Sequence, residues 1–257
     1  MESCYELFYD KLNDTFVRIM SHINEELGDE PITLEPNCGL DNMGQRTSTA
    51  RAHVDKRKVV FSFLSNQMLW YICWCGYKIW KNELHKVDKQ DFLTRLHIID
   101  NHNECLEKLT CQNLDSWNNE ELGYLFSYAT NFIIFHEVGH IVKGHSIFSS
   151  DYEIKDLEER RKDEYDADAY AYKAIIEVAK EYGQIEVANL GILCAQCLLL
   201  FERKKDEDYE NSPHGNPMDR IQGKIAVMDG DKGCYSYLVE VMRQLANDFI
   251  LEKSGKH

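Results

Sequence analysis

Apolar residues recur at intervals of three and four along most of the chain, which is the spacing that predicts amphipathic α-helices. All four prolines lie outside residues 37–212, so this long interior contains no obligatory helix breaker. Near the N-terminus the pattern predicts a helix over about residues 12–27 that ends near Gly28. The same spacing predicts seven further helices, at about residues 64–84, 91–110, 118–144, 156–182, 185–203, 217–229 and 233–252.

Residues 45–63 follow a different pattern. Two short segments rich in Thr, Val and Phe flank a charged turn at Asp55–Lys58, which predicts a β-hairpin or a small antiparallel β-sheet. Together with the helices, this predicts a mainly α protein of the α+β class. We expect a single domain over residues 1–257, in which residues 1–115 supply the N-terminal helix, the sheet and further helices, and residues 116–257 form a helical core.

The composition is that of an ordinary folded protein, with 44% hydrophobic and 28% charged residues in a chain of 257. A formal net charge of -15 repels the phosphates of nucleic acids, so we expect no nucleic-acid partner. Polar residues interrupt the apolar stretch at 59–80, and the stretch at 190–201 is too short to cross a bilayer of about 30 Å. We therefore expect no membrane-spanning segment, and the sequence does not indicate the oligomeric state.

The cysteines indicate a reducing compartment. They number nine, and they lack the density of a disulfide scaffold. The N-terminal segment carries acids where a signal peptide needs a positive region, so we expect a cytoplasmic protein. Cys194 and Cys197 have the spacing of a metal or redox pair, but their surroundings are apolar helix, which favours a role as buried core residues.

The strongest chemical signal is an H-E-x-x-H motif formed by His136, Glu137 and His140. Residues four apart share a helix face, so both imidazoles can reach one zinc ion, and Glu137 can contact the attacking water without binding the metal. The histidines continue the buried stripe of the helix predicted at 118–144, where unpaired imidazoles are costly. The alternative is that both are core residues satisfied by ordinary hydrogen bonds.

A second helical segment offers the third ligand. Glu164, twenty-four residues beyond His140, shares a helix face with Asp168. Glu164 can complete a His₂Glu site, and Asp168 can accept a hydrogen bond from a zinc-binding histidine. Ala167 and Ala171 lie near that face and allow a close approach of the two helices. Two alternatives stay open: the acids extend the solvated charge run at 156–164, or they exchange roles among Glu164, Asp166 and Asp168.

These motifs resemble those of the gluzincin clan of metallopeptidases, in which H-E-x-x-H and a downstream E-x-x-x-D lie on neighbouring helices. The surrounding residues are similar to the HtpX-like and prenyl-protein peptidases and to the Lit-type phage-exclusion peptidases, over roughly residues 130–225. The first group has a later H-P-x-P-x-D-R-I string, which this chain matches at His214–Ile221, with Gly215 in place of a proline. The resemblance implies a gluzincin-like helical domain, a zinc cofactor and cleavage of a cytoplasmic protein in host defence.

A mechanism follows as an expectation. Glu137 takes the proton of the attacking water, and sequence order and the resemblance indicate His214 or Arg220 as the donor to the oxyanion. In the alternative interpretation Arg220 pairs with a helix carboxylate and His214 caps a helix. We expect a protein or peptide substrate that lies extended along an exposed strand of residues 45–63.

Two other functions stay open. One is a zinc-binding regulatory or interaction module without activity, and the other is a repressor-cleaving peptidase of the ImmA type, which differs in its substrate. His145 follows His140 by five positions and is interpreted as a residue of the helix end, because the third-histidine spacing of metzincins is absent.

Overall fold

The computed structural model describes residues 17, 20–21, 31–37, 50–101, 119–145, 156–202, 212 and 214–253. Three strands are formed within these ranges, β1 (Thr33–Asn37), β2 (Ala50–His53) and β3 (Lys58–Ser62). The helices of the same ranges are α1 (Phe63–Trp80), α2 (Lys89–Asn101), α3 (Glu120–Lys143), α4 (Leu157–Glu181), α5 (Ile185–Glu202), α6 (Pro217–Val227) and α7 (Lys232–Lys253). The protein is therefore mainly α with a small β-sheet, as the sequence predicts.

The helix boundaries agree closely with the hydrophobic pattern. Helices α3 to α7 begin and end within two residues of the predicted positions, and α1 ends four residues earlier than predicted. The prediction for 91–110 extends past the end of α2 into residues outside the described ranges. Of the predicted N-terminal helix only residues 17 and 20–21 are described, and these are helical.

The sheet differs from the prediction in one strand. Strands β2 and β3 form the predicted antiparallel hairpin, but β1 pairs with β3 in parallel, so the sheet is mixed with the order β1-β3-β2. Pro36 lowers the strand signal of residues 33–37 in the sequence, and it is tolerated in β1 because β1 is an edge strand. The central strand buries Val59 and Phe61 on one face.

The chain divides into two compact units, each built from two separate stretches of sequence. The first unit comprises residues 1–66 and 130–184 and contains the sheet, the C-terminal half of α3 and all of α4. The second comprises residues 67–129 and 185–257 and contains α2, α5, α6 and α7. Neither unit coincides with the expected halves 1–115 and 116–257, and the single domain stays a prediction.

The second unit has an apolar helical core centred on α5, which packs against α6 and α7. Within the described residues α5 is the one helix long and apolar enough to cross a membrane by length and composition, and 72% of it is buried inside the protein. That degree of burial is the pattern of a core helix. Cys194 and Cys197 are buried in it, and burial raises the pKa of the Cys197 thiol well above its usual value, so both behave as small apolar residues.

Candidate metal centre

Two helices of the first unit carry the candidate site, and small residues let them lie close together. A β-carbon added to Gly139 of α3 would lie 3.0 Å from the α-carbon of Ala167 and 3.2 Å from its carbonyl oxygen on α4. Helix α4 starts at a defined point because the N-cap Asp156 accepts a hydrogen bond from the backbone N–H of Glu159 at 2.8 Å. The helices therefore meet at the predicted pair of motifs.

His136, His140 and Glu164 form one group, in which one ligand atom from each lies within 4.8 Å of the others. The two Nε2 atoms are 3.1 Å apart. The two carboxylate oxygens of Glu164 each approach one histidine, with Oε2 3.4 Å from His136 Nε2 and Oε1 3.7 Å from His140 Nε2. Two atoms that each bind an ion at about 2.1 Å and at a tetrahedral angle are roughly 3.4 Å apart. The observed distances lie near this value, so the group could hold a metal ion.

The acids of α4 differ in their positions. Glu164 is 3% exposed and lies in the ligand group, whereas Asp168 is fully buried and contacts the other side of His136, with its Oδ1 2.9 Å from Nδ1. Asp166 is exposed. The alternative of a solvated charge run is therefore wrong for Glu164 and Asp168, and the geometry favours Glu164 over Asp166 as the third ligand.

In the metal-free protein the two buried carboxylates act on His136. Burial lowers the pKa of this imidazole, but hydrogen bonds and charge interactions with Asp168 and Glu164 prevail and raise it from 6.5 to about 10. A proton on His136 thus supplies positive charge between two buried anions. Because buried carboxylates require a cationic partner, the site favours a bound cation. The alternative of two core histidines satisfied by hydrogen bonds stays open, because Asp168 contacts His136 Nδ1 at 2.9 Å.

Glu137 faces the sheet. Its Oε2 accepts a hydrogen bond of 2.7 Å from the backbone N–H of Ala52 in β2, which lies 85 positions away in the sequence. This N–H points away from β3, because the partner of β2 in the sheet lies on the opposite side. The contact joins the predicted base to the predicted substrate strand, and the sequence contains no local signal for it.

His145 lies at the end of α3, as the sequence indicates, and it also contacts the candidate site. Its Nδ1 is 3.0 Å from the Nδ1 of His140, and its Nε2 is 3.5 Å from Asp163 Oδ1. The spacing of the histidines alone does not predict this second contact. A local signal exists in the spacing of His140, Gly144 and His145, because a glycine cap folds the following residue back onto the last turn.

His214 and Arg220 belong to the second unit. His214 is exposed in a turn, and Arg220 is 6% exposed in the first turn of α6, which Asn216 caps by accepting a 2.9 Å hydrogen bond from Met218 N–H. Gly215 has φ +68°, which proline cannot adopt because its ring fixes φ near about −65°. The backbone here thus differs from that of the H-P-x-P string. The roles of His214 and Arg220 at the oxyanion stay predictions.

Comparisons with known proteins support a peptidase. The model of the Peptidase U49 family matches residues 114–239, which include α3, α4, α5 and α6. No curated protein and no solved structure matches the chain. The matched region contains all three residues of the candidate metal centre, so the peptidase assignment and the site geometry concern the same part of the sequence.

Proposed function

We propose that the chain is a zinc-dependent endopeptidase of the H-E-x-x-H type, with His136, His140 and Glu164 as zinc ligands. The observation that carries the proposal is that one ligand atom from each of these residues lies within 4.8 Å of the others, on two helices that the peptidase family match includes. Three protein ligands are typical of catalytic zinc sites, whereas structural sites have four.

Zinc, when bound, acts as a Lewis acid at the scissile carbonyl and makes water a stronger nucleophile at neutral pH. Glu137 takes the proton from the attacking water and delivers it to the leaving amine. The Ala52 N–H holds one carboxylate oxygen of Glu137 and so orients the carboxylate that accepts the proton. Asp168 holds His136 with Nδ1 as the hydrogen-bond donor, so that Nε2 presents its lone pair to the metal.

Substrate binding is proposed along the outer edge of β2. Backbone groups alternate in direction along a strand, so Ala50 presents its N–H and C=O on the same edge as Ala52. A peptide that adds to this edge gains backbone hydrogen bonds at Ala50 and reaches Glu137 at Ala52. The scissile bond would then lie beside Ala52, which makes β2 the strand that sets the position of cleavage.

The test uses the purified chain and a library of fluorescence-quenched peptides. We expect about one zinc per chain by elemental analysis and hydrolysis that requires it. Glu137→Gln should retain zinc and lose hydrolysis by about a hundredfold to ten-thousandfold, because it removes the base but no ligand. Glu164→Ala should lose the zinc. The matched controls are Glu158→Gln and Asp166→Ala, which change exposed acids of α4.

The possible outcomes test the assignment of the base and distinguish the peptidase from a binding module. Hydrolysis that persists in Glu137→Gln would contradict the assignment of the base. Zinc bound with no hydrolysis of any peptide or protein substrate would favour the binding module over the peptidase. A role in phage exclusion, a cytoplasmic location and the ImmA-type alternative stay predictions, and they depend on identifying the substrate.

A further inference from the structure

We infer that His145 and Asp163 form a relay that positions the zinc ligand His140, an inference that rests on the proposed function. The contacts are His140 Nδ1 to His145 Nδ1 at 3.0 Å and His145 Nε2 to Asp163 Oδ1 at 3.5 Å. The side chains of His140 and His145 are 2% and 9% exposed, and that of Asp163 is 14% exposed. The relay is therefore largely shielded from water.

The backbone conformation at the end of α3 positions His145 beside His140. Gly144 has φ +67°, its N–H donates to the carbonyl of Ile141 at 3.2 Å, and the N–H of His145 donates to the carbonyl of His140 at 2.9 Å. These two bonds define a Schellman cap, in which the residue after the glycine contacts the residue five positions earlier. That contact is usually apolar. Here it joins two imidazoles, so the cap fixes the second histidine against the first.

The hydrogen-bond roles follow from the position of the ligand atom. His140 Nε2 faces the other two ligands, so it must carry a lone pair, and the proton of the neutral ring resides on Nδ1. Nδ1 then donates to His145 Nδ1, which must be an acceptor. The proton of His145 consequently resides on Nε2, which points to the Asp163 carboxylate. Each ring thereby fixes the tautomer of the next.

The two zinc ligands are supported differently. His136 donates directly to the buried carboxylate of Asp168, whereas His140 donates to a neutral imidazole that a second carboxylate orients. Partners of this kind fix the ring orientation and raise the basicity of a ligand, and removing one typically costs about 10- to 100-fold in metal affinity. His145 is therefore a positioning residue of the metal centre and Asp163 orients it.

The test compares His145→Phe, His145→Asn and Asp163→Ala with the exposed control Asp166→Ala. Zinc affinity is measured by competition with a chromophoric chelator, and the ligand geometry by the visible absorption of the Co²⁺-substituted protein. We expect about a 10- to 100-fold loss of affinity and a shifted Co²⁺ spectrum in His145→Phe. His145→Asn should recover most of the loss, because its Oδ1 can accept the bond from His140. Asp163→Ala should weaken binding less than His145→Phe does, and Asp166→Ala should bind as the parent does.

A long-range ¹⁵N NMR experiment on the zinc-loaded protein should show His145 with its proton on Nε2. Unchanged zinc affinity and Co²⁺ spectrum in His145→Phe would overturn the relay while leaving the peptidase proposal intact. Equal losses in the Phe and Asn variants, together with lowered thermal stability of the metal-free proteins, would reduce His145 to a structural cap residue. A parent protein that binds no zinc would instead overturn the proposed function, and the relay with it.

Discussion

Helix α3 crosses another helix at close range in each compact unit. The residues around the two crossings differ in chemistry. In the first unit Gly139 of α3 faces Ala167 of α4, and the neighbouring side chains include the buried His140, Glu164 and Asp168. In the second unit Gly191 of α5 faces the N-terminal half of α3, and its neighbours along α5 are buried and apolar. In both places a glycine lets two helices approach closely, beside the proposed metal ligands in one unit and within an apolar core in the other.

The two crossings should respond differently to a small displacement of their helices. Dispersion contacts in an apolar core weaken gradually as helices separate, and neighbouring side chains can adjust. A metal site requires donor atoms at defined separations, so a shift of a few tenths of an ångström along or between helices changes every bond to the ion. A substitution at Gly139 should therefore change mainly the metal affinity, whereas one at Gly191 should change mainly the folding stability.

Of the two crossings, the one at Gly139 should show the larger effect. Ala at this position would meet the α4 backbone at 3.0 Å, and Val would force the helices further apart. Because His136 and His140 are on α3 and Glu164 is on α4, zinc affinity should fall in the order Gly, Ala, Val, with roughly a hundredfold loss for Gly139→Val. The measurement is a zinc competition titration of the three proteins.

Gly123 supplies the control for this series. It is a second glycine of α3, and a β-carbon added there would meet nothing within 4 Å. Gly123→Ala should keep the zinc affinity and stabilise the helix by about 0.5–1 kcal/mol. Equal zinc affinity in Gly123→Ala and Gly139→Val would show that the crossing does not set the ligand separations.

A smaller effect, on stability, is expected at Gly191. A β-carbon here would lie 2.6 Å from the carbonyl oxygen of Leu125 and 3.0 Å from the backbone nitrogen of Ala129, so α3 and α5 must separate. Gly191→Ala should lower the free energy of unfolding by about 1–3 kcal/mol, measured by urea denaturation, without changing zinc affinity. Gly223→Ala, on an open face of α6, is the matched control and should not destabilise the protein. A Gly191→Ala protein as stable as the parent would contradict a tight crossing.

The sequence predicts more of the first crossing than of the second. The motif spacing predicts that His136 and His140 share a face of one helix and that Glu164 and Asp168 share a face of another. The resemblance to the gluzincins implies that the two helices are neighbours. The hydrophobic periodicity likewise predicts the bounds of α3 to α7. Neither pattern indicates that Gly139 and Gly191 mark helix contacts, since a glycine in a helix can equally lie on an open face, as Gly123 and Gly223 do.

Contacts between distant segments of the chain were also not predicted from the sequence. The parallel pairing of β1 with β3 joins strands more than 20 positions apart, and the Ala52 to Glu137 bond spans 85 positions. Both depend on tertiary packing, to which local propensity and periodicity do not respond. The His140 to His145 contact is different, because the Schellman cap is a local structure with a recognisable glycine. Interpreting His145 as a residue of the helix end predicts its position but not its contact with His140.

A pH dependence, smaller than the effect at Gly139 when it is taken over one pH unit, should be shown only by the charged crossing. In the metal-free protein the pKa of His136 is raised to about 10, so near pH 8 this imidazole holds a proton that zinc must displace. Zinc affinity should rise about tenfold per pH unit as the pH approaches 10 and then level off, with about one proton released per ion bound. Calorimetry in buffers of different ionisation enthalpy measures this proton. In Asp168→Asn the release at pH 8 should decrease, because the variant removes a carboxylate that raises the pKa of His136.

Burial raises the pKa of Cys75 in the second unit to about 12, so this thiol of the apolar core should contribute no proton in this range. A binding enthalpy independent of the buffer would show that His136 is already neutral and that the two buried acids do not hold a proton between them.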